Sequence, residues 1–147
     1  MTAVFFILRI FIGLVFIVSG FEKVISPYQN FLYVIQAYQL FPSWMETWVA
    51  MIFPWVELMI GIFTFLGLWL DLSLKGALLF FGCFVVIVGQ ALLRHLPIDQ
   101  CGCFGEAIHI PPQTILVFDS FMLLSVFWLM RHFSKAKILS LDRYFSK

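Results

Sequence analysis

Four long apolar runs dominate the sequence and decide which solvent the fold can face. They cover about residues 3–24, 47–70, 74–93 and 112–130. A helix needs about 20 predominantly apolar residues to cross the hydrocarbon core of a bilayer, and each run is long enough. We therefore predict an all-α, polytopic integral membrane protein: a four-helix bundle that forms a single transmembrane domain over residues 1–147.

The composition agrees with lipid as the main solvent. Hydrophobic residues make up 63% of the 147 residues and charged residues only 12%, whereas about a quarter of a soluble domain is charged. A soluble fold of this length could not hide so much apolar surface. The net charge of +1 gives no reason to expect a nucleic-acid partner. No basic residue precedes Ala3, and no small-x-small site follows the first run, so we expect the first helix to be permanent.

The segments between the spans carry their own signals. Residues 28–48 are rich in aromatic side chains and nearly uncharged, which suits the membrane surface and predicts a short interfacial helix from about Gln29 to Leu40. The polar run Asp71-Leu72-Ser73 predicts the turn between spans two and three. Residues 131–147 are basic and amphipathic, which predicts a helix lying on the membrane surface.

The distribution of Lys and Arg predicts the orientation, because basic residues in short flanks prefer the cytoplasm. One side carries six basic residues: Lys75, Arg131, Lys135, Lys137, Arg143 and Lys147. The other side carries only Lys23 and Arg94. Both termini are therefore predicted to be cytoplasmic. The first loop and the loop that holds two cysteines would then be exoplasmic, meaning periplasmic or extracellular.

The strongest chemical motif is Cys101-Gly102-Cys103 in the loop before span four. Two thiols one residue apart can close a strained disulfide, and strain makes a disulfide labile, as in catalytic or regulatory pairs. Disulfides form and exchange in the exoplasmic compartment, where this loop is predicted to lie. The start of span four would favour a thiolate, more so at the nearer Cys103. We interpret the pair as a redox-active dithiol.

Two other interpretations of the pair remain open. It could be a structural disulfide, although a bridge between near neighbours constrains little chain entropy. Alternatively, Cys101 and Cys103 could bind copper or zinc together with His95 and His109, in a Cys2His2-like set. The remaining cysteine, Cys83, lies in the middle of span three, where a small buried hydrophobic residue is expected.

Ionisable residues inside the spans are the second signal, because each is costly in a bilayer unless it is paired or hydrated. Arg9, Glu57 and Asp119 qualify, with Gln90 as a weaker case. At about 1.5 Å per residue, Arg9 could reach towards Glu57. Such residues could form a buried ion pair that fixes helix register. They could instead form a polar pocket under the cysteine loop that moves protons or holds a ligand headgroup. Glu22-Lys23 would be an interfacial anchor or a support for the loop.

Several of these segments resemble a known family. Residues 8–23 and Pro54-Trp55-Val56-Glu57-Leu58 resemble the first two helices of DoxX-like membrane proteins. Within that group, Cys101-Gly102-Cys103-Phe104-Gly105 is similar to the loop motif of the methylamine utilisation protein MauE. The resemblance covers about residues 3–131.

The MauE resemblance implies an inner-membrane protein that works with a thioredoxin-like periplasmic partner. The implied role is disulfide formation or maturation of methylamine dehydrogenase. Cys101 and Cys103 would be the functional pair, and Arg9, Glu57 and Glu22-Lys23 would be supporting polar features.

One departure from a related mechanism matters. Four-helix thiol oxidases of the DsbB and vitamin K epoxide reductase types use two cysteine pairs and a quinone. The first exoplasmic loop of this chain contains no cysteine, which excludes a two-step relay within the protein. A single pair could still pass electrons to a quinone, so a quinone is a candidate cofactor.

Overall fold

The computed structural model describes residues 2–94 and 111–132, and every regular element in these ranges is an α-helix. The helices are α1 (Thr2–Ile25), α2 (Tyr28–Tyr38), α3 (Ser43–Leu66), α4 (Leu70–Leu93) and α5 (Pro112–Arg131). Four of them, α1, α3, α4 and α5, are long and apolar enough to cross a membrane. The predicted all-α membrane fold is confirmed. The predicted surface helix at 131–147 lies almost wholly outside the described residues.

The four long helices form a ring in which α1 packs on α3, α3 on α4, α4 on α5 and α5 on α1. The α1–α3 pair is antiparallel, since Gly13 lies against Phe65 and Gly20 against Leu58. This pair has the most extensive contact in the bundle.

Glycines on α1 and α3 allow the two backbones to touch. A Cβ placed on Gly13, Gly20 or Gly61 would lie 2.7 Å from a backbone nitrogen of the facing helix, which is closer than atoms can approach. Lipid gives no hydrophobic drive for helices to associate, so small residues that permit close packing hold them together. The glycines therefore fix the spacing and the register of α1 against α3.

Each spanning helix turns one stripe of side chains inwards, at intervals of three or four residues. On α5 the buried stripe is Ile115, Asp119, Met122, Val126 and Leu129. On α1 it is Phe5, Arg9, Ile12, Phe16, Ser19 and Lys23. Large apolar side chains such as Ile7 and Val117 point outwards. The outward surface suits lipid, and the polar side chains Arg9, Ser19, Lys23 and Asp119 lie on the inward stripes.

Helix α2 covers the end of the bundle where α1 ends and α3 begins. Its Ile35 and Tyr38 are buried, and the Gln36 side-chain amide donates a hydrogen bond of 3.2 Å to Glu46 at the start of α3. The helix predicted from about 29 to 40 is therefore present. It ends where Gln39 adopts a left-handed conformation, with φ 50°.

The turn between α3 and α4 differs from the prediction. The polar run 71–73 lies inside α4, and the turn falls at residues 67–69. Gly67 ends α3 with φ 71°, a conformation that glycine adopts without strain. Asp71 lies in the first turn of α4, where a negative charge is favourable, and pairs with Lys75 at 2.6 Å. The prediction was wrong because a polar helix start was read as a turn.

The close α1–α3 contact gives a matched pair of substitutions. Gly61→Ala adds a methyl group 2.7 Å from the Ile17 nitrogen, whereas at Gly89 a Cβ would meet nothing within 4 Å. We expect Gly61→Ala to lower the free energy of unfolding by about 1–3 kcal/mol, the usual cost of overpacking. Gly89→Ala should leave it unchanged or raise it, because alanine favours helix.

Equilibrium unfolding of both variants in detergent micelles measures the difference. Equal effects of the two substitutions would contradict a backbone contact at Gly61.

Candidate functional site

A buried ion pair joins α1 to α3. The Lys23 ammonium lies 2.9 Å from Glu57 Oε2 and 3.3 Å from Oε1. It also donates to the Ser19 hydroxyl at 2.6 Å, and that hydroxyl donates to Glu57 Oε1 at 2.7 Å. The three side chains form a closed ring of hydrogen bonds, which we call the polar cluster.

The local sequence explains why these groups meet. Ser19 and Lys23 are four residues apart, so they lie on the same face of α1. Gly20 lies between them and brings the backbone of α3 into contact at Leu58, next to Glu57. The Lys23 and Glu57 side chains are only 1% and 5% exposed. The close approach of the helices therefore lets one carboxylate reach both α1 side chains.

The energetics of the cluster follow from its burial. Removing a charge from water is costly. The attraction of the opposite charge offsets that cost only when the geometry is good and the remaining polar groups are hydrogen-bonded. Here Lys23 donates to both carboxylate oxygens and to Ser19. Removing either Lys23 or Glu57 would take this compensation away from the charge that remains buried.

An aromatic face closes the cluster on the side of α2. The Lys23 ammonium lies 5.7 Å from the ring centroid of Phe31, at a distance where a cation is attracted to a ring. Phe31 in turn stacks on Phe53 of α3, with 5.8 Å between the ring centroids. Lys23 therefore connects the covering helix α2 to the polar interior.

Asp119 of α5 faces the same region. It is 6% exposed, and its Oδ2 atom is buried without a hydrogen-bond partner. A small cavity is lined by Asp119, Ser19 and Glu57 together with aromatic side chains. Two of the intramembrane ionisable residues, Glu57 and Asp119, therefore line one cavity.

Arg9 does not pair with Glu57 as the sequence suggested. Lys23 takes that place, and Arg9 is ten residues before Ser19, about 15 Å away along α1. Arg9 is itself buried, at 1% exposure, and its guanidinium lies 5.2 Å from the Phe6 ring. The register set by the glycines decides between the two cations, and hydropathy cannot reveal that register.

Glu22 and Lys23 lie in different environments. Lys23 is 4% exposed, so a surface anchor does not describe it, whereas Glu22 is half-buried. Sequence reasoning missed Ser19 as a member of the site. The available signal was its position one helical turn before Lys23 and next to Gly20.

Cys83 is also placed differently from the expectation. It is exposed on the outer surface of α4, where it borders a groove between α4 and α5. The expectation of a buried small residue was wrong, because the inward stripe of α4 passes through Phe80, Phe81 and Val88 instead.

The redox and metal predictions concern residues outside the described ranges. Cys101, Cys103, His95 and His109 all lie in the segment 95–110. That segment joins the end of α4 at Leu93 to the start of α5 at Pro112. Asp119 follows Pro112 by seven residues, or about 10 Å along α5.

A comparison with models of protein families shows the family of this chain. Residues 1–131 match the family model described as methylamine utilisation protein MauE. The chain belongs to the MauE family. Searches of curated proteins and of solved structures give no significant match.

Membership in the MauE family and the four apolar helices agree with one another. Together they make the protein a multi-pass membrane protein linked to methylamine utilisation, with the lipid bilayer as its environment. The family match covers the polar cluster, Asp119 and the cysteine motif. The wider resemblance to DoxX-like proteins stays a prediction.

A double-mutant cycle tests the polar cluster. Lys23→Met or Glu57→Leu alone should lower the free energy of unfolding by about 3–5 kcal/mol, because each removes the opposite charge that a buried ionic group faces at 2.9 Å. The double variant should be more stable than either single variant, since it removes both charges. Equilibrium unfolding in detergent measures all three.

Asp71 and Lys75 provide the control, because their ion pair has side chains 61% and 58% exposed. The same substitutions there should change stability by less than about 1 kcal/mol. Additive losses in the Lys23–Glu57 cycle would show that the pair is not coupled.

Proposed function

We propose that this MauE-family protein is a membrane thiol–disulfide redox component in which Cys101 and Cys103 exchange electrons with a thioredoxin-like periplasmic protein. The motif Cys101-Gly102-Cys103 within a chain of this family is the observation that carries the proposal. The exchange would serve the maturation of a periplasmic dehydrogenase. The protein would lie in the inner membrane, with the cysteine loop periplasmic and both termini cytoplasmic.

The exchange can be written with balanced atoms and electrons. A thiolate at Cys103 attacks the partner's disulfide, forms a mixed disulfide and releases the partner's second sulfur as a thiolate. Cys101 then attacks the Cys103 sulfur, which releases the partner as a dithiol and leaves Cys101 and Cys103 joined. Two electrons pass to the partner. The reverse sequence oxidises the partner instead.

The position of the motif supports this chemistry. The chain enters the motif from α4 and leaves it into α5, which starts at Pro112. The positive end of a helix favours a nearby thiolate, which is the reactive form of cysteine. This argument favours Cys103 over Cys101 as the attacking residue.

The four spanning helices support an indirect role for the polar residues. Lys23, Glu57 and Ser19 join α1 to α3, and Asp119 lies on α5. A bundle with a fixed register would hold the two ends of the cysteine segment at a constant separation. In this proposal the membrane domain holds one exposed dithiol.

Trapping tests the proposal directly. We expect Cys101→Ser and Cys103→Ser each to accumulate a mixed disulfide with a periplasmic partner, because the thiol that resolves it is missing. Both variants should be made with Cys83→Ser, since Cys83 is exposed and could form unrelated disulfides. Non-reducing electrophoresis of acid-quenched cells detects the adduct.

The variant without any of the three cysteines is the control and should form no adduct. If neither single variant traps a partner and the variant without Cys101 and Cys103 keeps full activity, the redox proposal fails.

The alternative function is a membrane assembly or metal-handling subunit, with copper or zinc held by the two cysteines and His95 or His109. Metal analysis of the same purified protein separates the two. A stoichiometric ion that is lost in His109→Ala would favour metal handling.

A further inference from the structure

A small cavity lies where α1, α3, α4 and α5 meet. Three polar residues, Ser19, Glu57 and Asp119, contribute to its wall. The rest of the wall is apolar: Val15, Phe16, Phe80, Phe81, Phe84 and Phe118. About 20 Å³ of it is open to the centre of a water-sized sphere. One water needs roughly 10–15 Å³ by this measure, so the cavity has room for one water.

The buried carboxyl group of Asp119 would favour a water in this cavity. Its Oδ2 atom is buried and has no hydrogen-bond partner, although the residue is only 6% exposed. A buried polar atom without a partner is destabilising, and more so when it is charged. Glu57 lines the same cavity and, as a carboxylate, can accept more bonds than it receives from Lys23 and Ser19. A water between the two carboxyls would have the polar partners that a buried water needs.

The charged groups around the cavity determine whether Asp119 is protonated. Lys23 is the cation of the cluster and is already bonded to Glu57 at 2.9 Å. The wall residues from α4 are all phenylalanines. The cation next along α1, Arg9, is about 15 Å from Ser19. Among the described residues around the cavity, an ionised Asp119 would therefore leave one net negative charge, and an uncompensated charge inside a membrane domain is costly.

We propose that the cavity is a proton-binding water site: Asp119 carries a proton, and one water bridges its carboxyl group to Glu57. Protonated Asp119 donates to the water, and the water donates to a Glu57 oxygen. The net charge is then zero over the three ionisable groups Lys23, Glu57 and Asp119.

The arrangement also gives the proton a second position. When the water accepts the proton from Asp119 and passes one of its own to Glu57, Asp119 becomes the carboxylate and Glu57 the acid. The total charge is unchanged, and no other reactant is needed. One proton is thus shared by two carboxyl groups of different helices, α3 and α5. This inference does not depend on the cysteine chemistry.

Infrared spectroscopy of the purified protein in lipid nanodiscs tests the protonation. At neutral pH we expect the carbonyl stretch of an un-ionised carboxylic acid, shifted when the sample is moved into deuterated water. Asp119→Asn should remove this band and keep the unfolding temperature close to that of the wild type, because asparagine has the shape of a neutral aspartic acid. Asp71→Asn, at an exposed position, should keep the band.

A second measurement decides the matter even if Asp119→Asn does not fold. Labelling the wild-type protein with ¹³C-carboxyl aspartate should shift the band, which assigns it to an aspartic acid. Solid-state NMR on the same sample should show magnetisation passing from water protons to that carboxyl carbon. An absent band, a band that the aspartate label does not move, or no transfer from water would each overturn the proposal.

Discussion

Lys23 and Glu57 carry opposite charges inside a bundle that is otherwise built for lipid, and most of the architecture follows from the need to keep them together. The Lys23 ammonium reaches Glu57 at 2.9 Å where the backbones of α1 and α3 are in contact. Glycines at three contact positions, Gly13, Gly20 and Gly61, allow that approach. Ser19 completes the ring of hydrogen bonds. Since a shift of one residue along either helix would separate the charges, the pair also specifies the register.

The same interaction extends beyond the two helices. Through the ring of Phe31, Lys23 contacts α2, the short helix that covers this end of the bundle. Through the small cavity, Glu57 faces Asp119 on α5. The other half of the bundle holds the buried Arg9 and many apolar side chains, among them Ile12, Leu74 and Met122. The polar cluster and Asp119 lie in the half of the bundle that leads to the segment that carries the cysteines.

The sequence predicts the spanning helices well because hydrophobic length is a local property. The first and last spans agree with α1 and α5, where Pro27 follows one helix and Pro112 opens the other. The α3–α4 turn was misplaced because Asp71 resembles a turn residue, while the signal that decides, a left-handed Gly67, depends on backbone conformation.

The site was predicted only in outline. Glu57 and Asp119 stand out because charges are rare in spans, but choosing Lys23 over Arg9 requires the α1–α3 register. That register depends on non-local contacts of glycine. Ser19 was missed for the same reason, since a lone serine in a span is unremarkable until its partner is known. The orientation of Cys83 likewise depends on which stripe of α4 faces inwards.

The proposed role of the membrane domain is to hold a labile dithiol. Its most direct test is the reduction potential of the Cys101–Cys103 pair in the purified protein with Cys83→Ser, titrated in thiol redox buffers and read by alkylation mass shift. We expect the two thiols to be oxidised together, in one two-electron transition, at a potential above about −300 mV. A pair that stays oxidised below that potential would be a structural disulfide, and a pair that never joins would remove the redox chemistry altogether.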